Sequence, residues 1–251
     1  MRFVIYSPSW RHNSGGIQVL HRLCHLLNSN GYSACITSES KPGWNCPLWD
    51  GTLSDDDYAI YPEIYTGNPL NAKHIIRYML YYPWHHFGNN RIPKTELLIP
   101  YSMFIYPDSC KNCDYELPED NILEVFISEP ELFFINPSIK KDITSYWVSK
   151  SVRETVDKFN LPKGAVHIHH GYSREDVAKT LQRSRVFYSF DVNSAMIIEA
   201  CLCGAQVFLV TDNSKVVPYW GMPTNEYAAH YNDTDRIHRF VNNVKNFKWG
   251  A

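Results

Sequence analysis

Strand-like and helix-like segments alternate along the chain, and this alternation restricts the fold more than any other feature. Near the start, a β-rich run at residues 2–6 precedes a loop with two glycines, apolar residues at helical spacing, and a second strand-like run at residues 32–37. This order predicts a β-α-β unit with parallel strands. A similar alternation of strand-like and helix-like segments begins near residue 127 and continues to residue 210. The chain is therefore expected to be an α/β protein with parallel sheets.

The alternation of strands and helices in both halves of the chain predicts two Rossmann-like domains. The polar, turn-rich stretch at residues 107–120 reads as a long loop, and residues 122–128 read as a strand. We expect an N-terminal domain over residues 1–125 and a C-terminal domain over residues 126–233. A last amphipathic helix within residues 234–251 should return to the N-terminal domain. Two such domains facing a cleft would bind a ligand there.

Composition argues against several classes of protein. The formal net charge is −2, so nothing in the overall charge favours nucleic acid, for which a basic face is expected. No apolar run approaches the roughly 18 residues of a membrane span, and the first residues do not resemble a signal peptide. The seven cysteines are an odd number, and Cys110 and Cys113 have metal-ligand spacing without a second pair. Reduced thiols, no bound metal and a cytoplasmic location are the expectation.

Residues 190–210 contain the clearest candidate site. Ser194 is placed to cap a helix, Asp191 lies in the loop before it, and Glu199 lies about one and a half turns inside it. The free N–H groups of a helix N-terminus stabilise a phosphate. A carboxylate can accept charge-assisted hydrogen bonds from a vicinal diol. A nucleotide sugar presents both groups, so this stretch predicts a site for one.

The same stretch resembles the donor-binding signature of retaining GT-B glycosyltransferases of the group 1 type. That signature is an acid, seven residues, a Glu, and a short apolar stretch that ends in Gly before a buried strand. Here Asp191 replaces the usual Glu, and "VNS" replaces a Gly-Phe-Gly-like tripeptide. The resemblance implies that Glu199 binds the ribose and that Asp191 faces the transferred sugar. It also implies that amides around Asn193, Ser194 and Ala195 meet the diphosphate.

The resemblance extends to other donor-side residues. After the strand within "SYWVSKS", Lys150 would meet the diphosphate beside Ser149, which makes Lys150 and Asp191 the candidate catalytic residues. The strand within "HIHHGYS" ends where the family holds the nucleotide base. Two pairs of residues complete the candidate donor site, namely Gly171 with Tyr172 near the base and Gly15 with Gly16 near the phosphates.

Acceptor contacts are expected in the N-terminal half, where the resemblance is diffuse. Glu63, His85 and His86 follow strand-like runs and are the acceptor-side candidates. The chain is shorter than is usual in this family, so the N-terminal half should contain fewer helices. The resemblance implies metal-independent transfer of a sugar from a nucleotide-diphosphate sugar to a hydroxyl of a glycan or another acceptor, with retention and without a cofactor.

Three alternatives remain open. The protein could bind a nucleotide or glycan on a GT-B fold without catalysis. It could instead glycosylate DNA bases, although the balanced charge argues against a nucleic-acid partner. Asp55–Asp57 contains the Asp-any-Asp spacing of metal-dependent GT-A glycosyltransferases, but this run precedes a strand, whereas the GT-A motif ends one.

Overall fold

The chain divides into two compact units. A computed structural model describes residues 1–82, 91–148, 153–211, 215–219, 224–232 and 234–249. The first unit comprises Met1–Val125 and Asp233–Ala251, and the second comprises Phe126–Asn232. The division between residues 125 and 126 lies where the sequence placed the domain boundary. Both units are α/β, and each contains a mostly parallel sheet of five strands.

The first unit is a five-stranded parallel sheet in the order β2-β1-β3-β4-β5. The chain runs from β1 through helix α1 to β2, and then crosses back to β3 on the other side of β1. The strand order therefore reverses between β1 and β3. The elements are β1 (Arg2–Ile5), α1 (Gly15–Ser29), β2 (Ser33–Ile36), β3 (Asp57–Pro62), β4 (His74–Met79) and β5 (Glu96–Pro100).

Helix α1 forms because its apolar residues recur at helical spacing. Four apolar residues at this spacing are buried, and each Leu or Ile removed from water contributes roughly 1.5–3 kcal/mol. The chain leaves the helix at Gly31, whose φ of 80° is in the left-handed region that favours glycine. The buried residues of the stripe are Ile17, Leu20, Leu23 and Leu27.

Two predictions for residues 107–128 are wrong. The segment expected to be a loop contains helix α2 (Tyr106–Lys111), which Pro107 favours in its first turn, and a 3-10 turn at Glu119–Asn121. The expected strand at residues 122–128 belongs to neither sheet. Its carbonyls accept instead from two tyrosine hydroxyls, Leu123 from Tyr78 of β4 and Val125 from Tyr101 just after β5. One backbone bond, from the amide of Leu123 to the carbonyl of Pro100 at 2.9 Å, joins the segment to the end of β5. These bonds satisfy backbone groups that a full strand pairing would otherwise satisfy.

The last helix, α7 (Thr234–Asn246), packs on the first unit, as the sequence predicted. Its apolar stripe is buried, and the ring of Phe240 lies 5.6 Å from that of Phe3, centroid to centroid. Asn243 donates a hydrogen bond of 2.8 Å to the carbonyl of Asp120. This helix therefore completes the core of the first unit although it follows the whole of the second in sequence.

The second unit has the strand order β10-β9-β8-β6-β7. Strand β10 is antiparallel to β9, which corrects the expectation of a purely parallel sheet. Only residues 211–215 separate these two strands, too few for the crossover that a parallel pair requires. The elements are β6 (Ile143–Trp147), α3 (Arg153–Lys158), β7 (Val166–His167), α4 (Arg174–Arg183), β8 (Ser184–Ser189), α5 (Ala195–Leu202), β9 (Gln206–Val210), β10 (Val216–Tyr219) and α6 (Thr224–Tyr231).

Helices α4 and α5 cover the same face of this second sheet. Val177 and Leu181 of α4 and Ile197 and Ala200 of α5 share one buried cluster, which includes Phe187 of β8. The periodic apolar residues of the two helices account for this packing. Helix α4 follows β7 and helix α5 follows β8. Because these strands are parallel, both helices start at the edge of the sheet where the strands have their carboxyl ends.

Two further features concern the chain as a whole. None of the helices in the described segments is both long enough and apolar enough to span a membrane. All seven cysteines lie in those segments, and all are free thiols.

Candidate functional site at the carboxyl edge of the second sheet

The second sheet has a topological switch point between β6 and β8. From β6 the chain proceeds to β7 on one side, and then returns to β8 on the other side. The amide of Phe190, just after β8, donates a 2.9 Å hydrogen bond to the carbonyl of Trp147, which ends β6. The loops that follow these strands therefore start side by side. In open α/β sheets, ligands bind outside the carboxyl ends of the strands at such a point.

The loop after β8 forms a turn that leads directly into α5. Asp191 Oδ1 accepts a 3.1 Å hydrogen bond from the amide of Asn193. Ser194 is the N-cap, and its Oγ accepts from the amide of Met196 at 3.3 Å. Three predicted site residues, Asp191, Asn193 and Ser194, thus lie together before the start of α5. Ser149 and Lys150, expected on the other side of the switch point, lie outside the described residues.

Glu199 is inside the unit rather than on its surface. Its side chain is 0% exposed, and Arg174 binds it at two points, Nη2 to Oε1 at 2.6 Å and Nη1 to Oε2 at 3.2 Å. The hydroxyl of Ser128 also donates to Oε1 at 3.1 Å. The carboxylate predicted to bind a ribose therefore already has three donors. A ribose hydroxyl could reach it only if Arg174 gave up a bond.

The Arg174 side chain is held between this carboxylate and an aromatic ring. Its Cζ lies 4.5 Å from the centre of the Phe133 ring. Burial alone would lower the pKa of Arg174, but the charge and hydrogen bonds of Glu199 outweigh burial and raise it. The guanidinium is therefore charged, and it serves as the counter-ion that a buried carboxylate requires.

Sequence reasoning missed Arg174 and Ser128. A carboxylate within an apolar helix indicates that some buried partner exists, because an unpaired buried charge is expensive. Nothing in the sequence identifies which Arg or Lys that partner is. Ser128 also connects this ion pair to helix α6, because its amide donates a 3.0 Å hydrogen bond to the hydroxyl of Tyr227 in that helix.

Gly171 and Tyr172 follow β7, the neighbour of β6, and so lie at the same edge of the sheet. The amide of Gly171 donates to Nδ1 of His169 at 3.1 Å, and a Cβ at this position would come within 3.0 Å of that ring. The ring of Tyr172 packs edge-on against His169, with centroids 4.4 Å apart. The close contact with His169 explains why residue 171 is a glycine. The side chain of Tyr172 is half-buried.

The described candidates in the first unit, Gly15, Gly16 and Glu63, lie at the carboxyl edge of its own sheet. Gly15 opens α1 and is exposed, whereas Gly16 faces the side chain of Leu80. Glu63 follows β3, is buried, and accepts a 2.9 Å hydrogen bond from the amide of Leu80. Gly16 and Glu63 are therefore brought together at Leu80. His85 and His86 lie outside the described residues.

The Asp55–Asp57 run lies at the opposite, amino edge of the first sheet. Asp57 is the first residue of β3 and is paired with Arg2 of β1 at 2.7 Å. Asp55 is exposed and lies 3.3 Å from Lys73. In the part of the chain that the structure describes, no group of three or more His, Cys, Asp or Glu could hold a metal ion.

No protein-family model matches the sequence, and no curated protein is significantly similar to it.

Proposed function

We propose that the protein is a glycosyltransferase that moves a sugar from a nucleotide-diphosphate sugar to an acceptor hydroxyl with retention. The observation that carries this proposal is the switch point of the second unit. There the Asp191–Ser194 turn and the start of α5 adjoin the end of β6. A helix N-terminus at a switch point is suited to a phosphate, because its N–H groups and dipole favour negative charge.

Each part of the donor has a candidate partner at this edge. The diphosphate meets the start of α5 together with Lys150 and Ser149. Asp191, in the turn before α5, faces the transferred sugar. The base lies near Gly171 and Tyr172, beyond the end of β7.

Glu199 binds the ribose in this proposal only by exchanging partners. Its Oε2 has the longer bond to Arg174, 3.2 Å against 2.6 Å for Oε1. A ribose hydroxyl would replace that longer bond, while Arg174 keeps the shorter one. The free protein thus keeps the carboxylate paired until the nucleotide arrives.

The acceptor would bind at the carboxyl edge of the first sheet. Gly15 and Gly16 lie at that edge, and Glu63, His85 and His86 are the candidate acceptor contacts. A glycan or another hydroxyl compound fits such groups, since a carboxylate and imidazoles can bond to hydroxyls. The free thiols suit a reducing compartment, and we place the protein in the cytoplasm.

In the proposed reaction, the bond between the anomeric carbon and the diphosphate breaks, and the acceptor oxygen bonds to that carbon on the same face. The acceptor proton passes to the departing diphosphate oxygen. The negative charge that develops there is stabilised by Lys150 and by the N–H groups at the start of α5. No divalent ion takes part.

The test is release of nucleoside diphosphate from a panel of UDP-, GDP-, ADP- and TDP-sugars in buffer with EDTA. Wild-type protein should release nucleoside diphosphate from at least one of them. Lys150→Ala should reduce this rate about 100-fold or more, as loss of one charge-stabilising donor does elsewhere. The matched control Lys179→Ala, an exposed residue of α4, should leave it unchanged. Binding without any release would favour a non-catalytic nucleotide-binding protein.

A further inference from the structure

Two cysteine thiols of the first unit meet where the loop after β2 packs on helix α1. Cys24 lies in α1 and is fully buried, whereas Cys46 lies in the loop and is half-buried. The thiol of Cys46 donates a 3.2 Å hydrogen bond to the carbonyl of His21, which precedes Cys24 by about one turn of the helix. A hydrogen bond also joins the two thiols. The fold therefore brings together two cysteines that are far apart in sequence.

Hydrogen bonds hold the loop in place on both sides of Cys46. Asn28 of α1 donates from Nδ2 to the carbonyl of Asn45 at 3.0 Å. The carbonyl of Pro47 accepts a 3.0 Å hydrogen bond from the amide of Ile36, the last residue of β2. A disulfide forms readily only where the backbone already brings two thiols together. These bonds keep the thiol of Cys46 beside α1 and so meet that requirement.

The surroundings of the two thiols differ. The hydrogen bond from Cys24 lowers the pKa of Cys46, and the Ser40 hydroxyl and the Arg22 charge lower it further against the opposing effect of burial. The same bond, together with burial, raises the pKa of Cys24. Burial also raises the pKa of Cys35, to about 11. Oxidation-sensitive cysteines have a low pKa, are accessible to solvent and lie next to a second cysteine, and Cys46 combines these properties.

We propose that Cys46 is a site of oxidation by hydroperoxides, and that Cys24 converts the oxidised residue into a disulfide. The Cys46 thiolate attacks one oxygen of hydrogen peroxide and becomes a sulfenic acid. The O–O bond breaks, and the departing hydroxide takes up the proton that Cys46 released. The sulfur of Cys24 then attacks the sulfur of Cys46, the S–O bond breaks, and the hydroxyl group leaves as water with the Cys24 proton. Two thiols thus lose two electrons, and one peroxide is reduced to two waters. A thiol reductant restores both cysteines.

Counting the thiols after treatment with limiting hydrogen peroxide tests the pair. The wild type should lose the mass of two hydrogens, and two fewer of its seven thiols should react with iodoacetamide after denaturation. Dithiothreitol should restore both values. Cys46→Ser should show neither loss. Cys110→Ser is the matched control, because Cys110 is also half-buried and is close in sequence to Cys113, and it should keep the wild-type losses.

A trapping experiment separates the roles of the two cysteines. In Cys24→Ala, dimedone should label Cys46 after peroxide treatment, because the sulfenic acid persists when Cys24 is absent. If Cys24→Ala fails to fold, Cys46→Ser still tests the pair, because its substitution is at a half-buried position. An unchanged number of thiols in the wild type, or a disulfide that persists in Cys46→Ser, would overturn the proposal. Either result would leave the proposed glycosyl transfer standing, since no step of the oxidation involves the sugar donor.

Discussion

Arg174 and Glu199 form a two-point ion pair that joins the first residue of α4 to the interior of α5. Arg174 Nη2 lies 2.6 Å from Oε1 of the carboxylate, and the Glu199 side chain has no exposure to solvent. Both helices start at the carboxyl edge, where the donor is proposed to bind. The pair therefore holds the two helix starts in a fixed relation.

Breaking this pair from one side should destabilise the second unit strongly. Glu199→Ala leaves the Arg174 guanidinium without its counter-ion, and such a loss costs about 3–5 kcal/mol in buried pairs. Glu199→Gln keeps the shape and one acceptor oxygen, so its cost should be smaller. Urea unfolding measures both. Glu175→Ala, at an exposed position on the same helix as Arg174, is the control and should change stability by less than about 0.5 kcal/mol. If Glu199→Ala unfolds like Glu175→Ala, the pair does not stabilise the unit.

Substitutions of Glu199 and Asp191 should differ in their effects on nucleoside diphosphate affinity and on turnover. Glu199→Gln should weaken nucleoside diphosphate binding by about 1.5–3 kcal/mol, roughly 10- to 100-fold, because the ribose loses a charged acceptor. Asp191→Asn should leave that affinity nearly unchanged and lower turnover, since Asp191 faces the sugar, which a nucleoside diphosphate lacks. Calorimetry on folded variants gives the comparison. Equal losses of affinity would show that the acids do not divide the donor in this way.

The sequence predicted those features of the fold that depend on neighbouring residues. Apolar spacing located α1, and the cap predicted at Ser194 is correct, since its Oγ accepts from the amide of Met196 at 3.3 Å. Some features that depend on tertiary partners were not predictable. Residues 122–128 have the composition of a strand, yet they join neither sheet, and the hydroxyls of Tyr78 and Tyr101 bond to two of their carbonyls.

The candidate site shows the same limit. The order of strands and loops predicted that Asp191 and Ser194 would lie in one turn before a helix, and they do. The partner of Glu199 could not be predicted, because Arg174 is 25 residues away in sequence and meets it only through the packing of α4 on α5.

The two serine caps should separate a structural effect from a binding effect. Ser173→Ala and Ser194→Ala each remove a side-chain acceptor from a helix start, and each should cost about 1 kcal/mol of stability. Only Ser194→Ala should also weaken nucleoside diphosphate binding, because α5 is the helix proposed to meet the phosphates. Denaturation and calorimetry on both variants provide the comparison. Equal weakening of binding by both would argue against a specific role for the start of α5.

Stability should fall in mild acid because of His21 in the first unit. Its Nε2–H donates to the carbonyl of Pro8 at 3.0 Å, its Nδ1 accepts from the hydroxyl of Ser40 at 2.9 Å, and its side chain is fully buried. Burial lowers the pKa of His21 below 6.5. As pH falls below that value, the unfolded chain takes up the proton first, so the stabilisation present at higher pH is lost.

The test for His21 compares free energies of unfolding at about pH 7.5 and about pH 5.5, the range in which histidine titrates. The loss of stability on acidification should be smaller in His21→Gln than in the wild type. His12→Gln, at an exposed position, serves as the control and should keep the wild-type loss. An identical loss in all three proteins would show that His21 is not the responsible group.

The central claim is that the carboxyl edge of the second sheet binds the nucleotide-diphosphate sugar, and hydrogen exchange tests it most directly. The exchange of backbone amides should be measured by mass spectrometry with and without the nucleotide sugar that the wild type binds. The account predicts slower exchange in residues 169–174 and 190–196, which follow β7 and β8, and unchanged exchange in residues 159–165 and 203–205 at the opposite edge. Protection confined to that opposite edge or to the first unit, or no protection in residues 190–196, would contradict it.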